Sequence, residues 1–166
     1  LLETWNHAIS ESLKNNHEHR VLLITDIFDY LQHKKYAAIK FPNGTPENLS
    51  QYSDIDLCIE KDDLIGVLNY LKQHPLTLHT HIVKKSFMTS VKIFLKNKSL
   101  LSVDLVWSFK RKAMVILDAK KVIENAYVNE YNIKQMELLD MVRYIGLFYA
   151  FYYTQLTLPE DKEGRR

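Results

Sequence analysis

The chain has 166 residues, a length that suits one domain with a sizeable core. Its 46% apolar and 25% charged content is that of a globular chain rather than a disordered one, and a net charge of only +2 argues against nucleic-acid binding by bulk electrostatics. The single cysteine, Cys58, excludes an internal disulfide framework and falls short of a cysteine-rich zinc site.

In chain order, Trp5, Ile9 and Leu13 form one stripe that predicts a helix over 1–16. Leu23, Ile24, Ile27, Phe28 and Leu31 predict a second helix over 20–33, with His17 and His19 at the junction. Tyr36 to Phe41 reads as a short apolar strand. Breakers and polar residues make 42–53 a loop. Asp54 to Glu60 reads as the next strand, and Asp62 as the cap of a helix running to about Gln73. Leu76–Lys84, Met88–Lys96 and Leu100–Trp107 predict a β-meander, with Asn97-Lys98 as a tight turn. Residues 114–133 mix short helix and strand. Gln135–Tyr153 predicts a long aromatic helix, apolar nearly all round and so packed on both sides. The tail LPEDKEGRR reads as loose. The fold class expected is α/β (α+β): a mixed β-sheet with helices packed on it, plus a C-terminal helical element over about 134–154. One domain covers 1–166, with its core over about 20–107. No apolar run approaches the roughly 20 residues of a membrane span and no signal-peptide pattern opens the chain, so the expected location is cytoplasmic. The chain starts at Leu1 without methionine, as a fragment of a longer protein would.

Within YSDIDLCIE, residues 52–60, Asp54 and Asp56 are two apart in a strand pattern and so share a face. Ile55, Leu57 and Ile59 take the other. At about 6–7 Å and an effective dielectric near 20, the two charges repel by about 2–3 kcal/mol. In LLSVDLVW, residues 100–107, Asp104 lies between Val103 and Leu105 and takes the opposite face with Ser102. Three carboxylates on one sheet face call for cations. Magnesium is the natural one, because it prefers carboxylates together with substrate phosphate oxygens. A pair of such ions is the clamp of phosphoryl and nucleotidyl transfer.

The order strand, loop, DIDL, helix, followed by a meander with a further Asp in an apolar strand, resembles the DNA polymerase β-type nucleotidyltransferase superfamily. SDIDL (53–57) and SVDL (102–105) match its [DE]-h-[DE]-h and h-[DE]-h elements, and the resemblance covers about 20–107. YAAIKF, YSDIDLCIE, VDLVW and YNIKQMELLDMV (131–142) are similar to uncharacterised bacterial nucleotidyltransferase-like proteins. The resemblance implies transfer of a nucleoside monophosphate from an NTP to an acceptor hydroxyl, with pyrophosphate released. Asp54, Asp56 and Asp104 would be catalytic and would hold two Mg2+ ions, with Mn2+ able to substitute. Ser53 belongs to the same motif and counts among the substrate-binding candidates. The acceptor is not identified by the sequence, and neither is the oligomeric state. The family's G-[GS] element, a phosphate cradle, falls by position on Lys40-Phe41, where Lys40 offers a charge in its place and Phe41 would crowd the phosphates. Gly44-Thr45 has the cradle chemistry but lies close to Asp54. This departure supports an alternative, a catalytically degenerate fold acting as a nucleotide-binding or regulatory module. A nucleic-acid terminal transferase is a third reading, disfavoured by the small net charge.

Other candidates are secondary. His79 and His81 are two apart on a strand, without a third metal ligand nearby. Cys58 shares the face of the acidic pair and reads as a packing residue. Lys110, Arg111 and Lys112 follow the Asp104 strand as a charged loop, with Lys110 a further substrate-binding candidate. Tyr144 to Tyr153 recur at helix spacing and read as core.

Overall fold

The computed structural model describes residues 2–41, 44–50, 52–111 and 114–156, with side chains for 16–41, 44–50, 52–110 and 114–147. The architecture is mixed α/β: helices packed on a seven-stranded sheet, with a separate two-stranded hairpin. Helix α1 spans Leu2–Leu31 without a break. The predicted junction at His17 and His19 is absent, and both residues lie inside the helix. The run NNHEHR holds weak helix formers but no Gly or Pro, and each such residue costs only a few tenths of a kcal/mol. The Trp5, Ile9 and Leu13 stripe lies outside the described side chains. Leu23, Ile24, Ile27, Phe28 and Leu31 form the buried stripe that seats α1 on the sheet.

Strand β1 (Tyr36–Ile39) runs antiparallel to β2 (Ile55–Ile59), with a 3-10 turn, Pro46–Asn48, in the loop between them. A second 3-10 turn, Lys61–Asp63, leads into α2 (Leu64–Gln73). Asp62 is therefore not the cap. Asp63 holds the N-cap position, and its carboxylate pairs instead with Lys34 Nζ at 2.6 Å. α2 is tied to α1 by Tyr70, whose hydroxyl donates to the Asp26 carbonyl at 2.9 Å, and by His74 Nε2, 2.9 Å from the Asp26 carboxylate.

The meander is β3 (Thr77–Lys84), β4 (Met88–Leu95) and β5 (Leu100–Val106). Lys98, at φ +70°, makes the turn between β4 and β5. The hairpin β6 (Phe109–Arg111) and β7 (Met114–Leu117), helix α3 (Ala119–Glu124), strand β8 (Tyr127–Val128) and strand β9 (Lys134–Gln135) follow. Lys110 is thus in a strand rather than a loop. The Arg111 side chain and Lys112 lie outside the described residues. Helix α4 spans Leu138–Leu156, starting later than predicted because Gln135 pairs with Ala38 of β1. It is not packed on both sides: Leu138, Leu139, Val142, Ile145 and Leu147 are exposed, while Asp140 is buried. The aromatic side chains beyond Leu147 and the tail from Leu158 lie outside the described residues.

The strand order is β3-β4-β5-β2-β1-β9-β8. One face carries Ile55, Leu57, Ile59, Val91, Ile93, Leu95, Leu101, Val103 and Leu105 against α1 and α2. The other face carries a smaller core of Ala37, Ile39, Cys58, Val106, Phe109, Val122 and Met136, with Met141 and Tyr144 of α4 packed on it. Among the described residues no helix is long and apolar enough to cross a membrane.

Candidate active site

β2 and β5 run parallel and in register, pairing Ile55 with Val103, Asp56 with Asp104 and Leu57 with Leu105. Residues in register on adjacent strands share a face. Because Ile55, Leu57, Val103 and Leu105 fill the main core, Asp56 and Asp104 stand side by side on the opposite face, on strands roughly 5 Å apart. Further along that face the second core closes over Cys58 and Val106, leaving both aspartates half-buried at its margin.

This placement has an electrostatic signature. The Asp56 carboxyl is pushed from its ordinary 3.8 up to about 6, first by burial and second by the Asp104 charge. The Lys40 charge opposes the shift, and Asp54 adds least to it. At 1.36 kcal/mol per pH unit, the ionised form of Asp56 is disfavoured by about 3 kcal/mol. Asp104 is oriented by β4: Ser90, directly opposite it in register, donates its hydroxyl to Oδ1. Ser90 was not among the sequence candidates: a two-residue turn at Asn97-Lys98 would set Val91 opposite Asp104, one residue off the register observed.

The structure brings together Asp56 and Asp104, with Lys40 close enough to act on Asp56. Asp54 is exposed and lines a neighbouring cleft with Arg20, Tyr52, Ser99, Leu100 and Ser102. Ser53 serves through its backbone, its carbonyl accepting from Arg20 Nη2 at 2.8 Å. Among the described residues no three His, Cys, Asp or Glu side chains stand together as a group that could hold a metal ion.

Lys40 follows β1 in the left-handed region, at φ +46°. An L-residue there carries strain that glycine does not. Its Nζ lies 5.2 Å from the centre of the Tyr144 ring of α4. Phe41 does not crowd this face: it is 6% exposed in the main core, edge-to-face with Phe28 at 5.0 Å. Gly44 and Thr45 are committed to the loop. Gly44, at φ +67°, accepts at its carbonyl from Asn129 Nδ2 at 2.7 Å, and an added Cβ would meet that nitrogen at 2.9 Å. Thr45 caps the 3-10 turn, accepting from the Glu47 amide at 3.2 Å and donating to the Glu47 carboxylate. Lys110 lies on the separate hairpin beside buried Phe109. Cys58 packs: burial pushes its thiol up to about 12. His79 is exposed and stacks on Phe94 at 4.2 Å, and His81 is exposed on the same strand.

Against family models, curated proteins and solved structures, the chain shows no match.

Proposed function

We propose that this chain is a nucleotidyltransferase domain that transfers an NMP from an NTP to an acceptor hydroxyl and releases pyrophosphate. The observation that carries the reading is the in-register pair of Asp56 and Asp104, with Asp56 raised to about 6 and Lys40 at its side. A fold that places two carboxylates side by side in a half-buried position has a use for a cation there. Their hard oxygen donors suit magnesium, which takes one or two carboxylates and completes its shell with phosphate oxygens and water. Two carboxylates fit one such ion, and a second ion would draw on Asp54 from the adjoining cleft. When bound, the metal supplies charge neutralisation on the triphosphate and lowers the acceptor hydroxyl's pKa.

The chain's own residues would do the rest. Lys40 draws the triphosphate to the β1 side of Asp56 by charge. Asp104, held by Ser90, takes the hydroxyl proton as the acceptor oxygen bonds to the α-phosphorus. The bond from that phosphorus to the bridging oxygen breaks, and pyrophosphate leaves with the electron pair. The left-handed backbone at Lys40, where the family pattern has small residues, adds support for the alignment of that position.

A second reading is the degenerate module, favoured by the structural commitment of Gly44 and Thr45, which leaves Lys40 alone for the phosphates. The test is NTP binding and pyrophosphate release with Mg2+ or Mn2+ across hydroxyl acceptors, for wild type and Asp104→Asn. Release that Asp104→Asn abolishes supports the transferase. Binding without release favours the module, and no NTP binding at millimolar Mg2+ sinks both.

A further inference from the structure

Strand β3 ends the sheet, and its outer edge is long and open. It runs eight residues, Thr77–Lys84, without proline, and its one formal charge is Lys84 at the end. The opposite edge, β8, is only two residues long. Natural sheets blunt an exposed edge by shortness, proline, mid-strand charge or a bulge. In β3 the one irregularity lies at the start, between Thr77 and His79, and the rest of the strand has no such device. The Lys85 amide donates to the Met88 carbonyl at 2.8 Å, so Lys85 is turned toward β4. Backbone direction alternates along an antiparallel ladder, so Val83 and His81 are turned toward β4 as well. The N–H and C=O groups of Thr80 and Ile82 therefore point away from the sheet.

The same register assigns the side chains. Thr80 and Ile82 lie opposite Ile93 and Val91 and so face the main core. His79, His81 and Val83 face the other way, on the side of the sheet that carries the aspartate pair. Both imidazoles are exposed. His79 stacks on Phe94 at 4.2 Å, and Lys92 lies opposite His81. Among the described residues no hydrogen bond engages a ring nitrogen of either histidine. Two imidazoles two residues apart on a strand, about 7 Å at Cα, are half of a four-ligand transition-metal site. Among the described residues no third His, Cys, Asp or Glu joins them.

A second copy of the chain supplies the missing half. Antiparallel pairing of two β3 edges about a two-fold axis through Thr80 sets His79 of each chain against His81 of the other. Thr80 exchanges both backbone bonds with its counterpart, and Ile82 comes beside Leu78, which is 62% exposed in the single chain. The His79–His81 pairs fall at non-hydrogen-bonded positions, with Cα atoms about 4.5 Å apart. The four Cα atoms then mark a rectangle of about 4.5 by 7 Å, each roughly 4 Å from the axis. Rings leaning inward from that distance can meet at one ion held about 2 Å from each ring nitrogen. An axis through His81 instead would put the two His79 Cα atoms about 14 Å apart, too far to share an ion. We propose that β3 is a dimer edge, closed by a transition-metal ion of the zinc class that His79 and His81 of both copies hold. The seam joins two seven-stranded sheets and leaves both aspartate pairs on one continuous face. The inference does not rest on the transferase reading, because its ligands are ring nitrogens rather than the carboxylates that suit magnesium.

Sedimentation velocity of the full chain at micromolar concentration tests it, in EDTA and with half an equivalent of Zn2+. A monomer in EDTA and a dimer with zinc are expected, with calorimetry giving one ion per two chains. His81→Ala should stay monomeric with zinc. Thr80→Pro keeps the imidazoles, and because the Thr80 N–H points outward it also keeps the ladder to β4. It blocks the seam, and should weaken zinc-driven dimerisation about tenfold or more. A circular-dichroism melt checks that both variants fold. Asp104→Asn should dimerise with zinc as wild type does. A chain that stays monomeric with zinc overturns the inference, as does binding of one zinc per chain without a change of mass. A dimer that survives both EDTA and His81→Ala overturns it too. Zinc-driven dimerisation that Asp104→Asn removes and His81→Ala leaves intact would place the ion at the aspartate pair and overturn it as well.

Discussion

Asp56→Asn is the sharpest probe of the site, because the site is costly to the folded chain. The wild-type carboxyl titrates near 6 when folded and near 3.8 when unfolded. Between those values the folded state binds more protons than the unfolded state, so stability falls as pH rises through the window and the full penalty is present above about 6. The penalty has a ceiling of about 3 kcal/mol, at 1.36 kcal/mol per pH unit. Asn keeps the shape and cannot ionise. Part of the gain is returned, because Lys40 loses the charge that faces it, so the expected stabilisation at pH 7.5 is about 1–2 kcal/mol. Urea unfolding at pH 7.5 and 5 measures it. Wild type should gain stability on going to pH 5, and the variant should gain less. Asp104→Asn should act in the same direction, since it removes the second cause of the shift. The reasoning fails if Asp56→Asn costs more than about 1 kcal/mol at pH 7.5, for then Asp56 is a structural acceptor whose loss leaves a donor unpaired. It fails equally if the variant keeps the wild-type pH dependence.

Lys40→Gly should relieve the left-handed strain and raise stability at pH 5.5 by roughly 1 kcal/mol; the gain should shrink at pH 7.5, where an ionised Asp56 misses its cation, and NTP titration should show weaker binding. Millimolar Mg2+ should raise Tm at pH 7.5 and do so much less below about pH 5.5, where Asp56 is protonated; a Tm rise that is equal at both pH values places the ion elsewhere. Gly44→Ala should cost about 1–2 kcal/mol, because φ is +67° and the new Cβ meets Asn129; an unchanged Tm would show that the loop swings away freely.

Much of the sheet was legible because alternation carries over from sequence to strand. Ile55, Leu57, Val103 and Leu105 each read as core, and that alone put Asp56 and Asp104 on the opposite face. The meander register was not: a two-residue turn at Asn97-Lys98 would set Val91 against Asp104, and the loop is one residue longer, which brings Ser90 there instead. What was not legible depends on distant partners. The polar run NNHEHR looks like a junction until the helix on both sides is seen to continue. Gly44-Thr45 has the composition of a phosphate cradle, yet Asn129, from far along the chain, holds it. Arg20 left no motif, because its partners are backbone carbonyls that no sequence pattern displays. The exposed face of α4 was invisible for a related reason: an apolar helix surface does not say which side is covered.

Lys40 is where the enzyme and module readings divide. The family pattern needs a small residue after the first strand so that backbone can approach phosphate, and the backbone conformation here is the one glycine adopts most readily. The chain keeps that conformation and fills it with a lysine, accepting strain of about 1–2 kcal/mol. A strained lysine has to be held by its surroundings, and the Tyr144 ring of α4 and the Asp56 charge are both in place to hold it. The same side chain therefore links the C-terminal helix to the aspartate pair. If Lys40 served only to neutralise Asp56, an aspartate at that position would be needless, since Asn would be as stable without it. Keeping both charges, one raised by burial and the other strained by its backbone, makes sense when a third charged partner arrives between them. A triphosphate with its magnesium has the required signs, with the metal on the carboxylates and the phosphate on the lysine. A module that binds NTP needs the lysine but has less need of two opposed carboxylates, and that surplus of acid is the physical reason to favour the transferase.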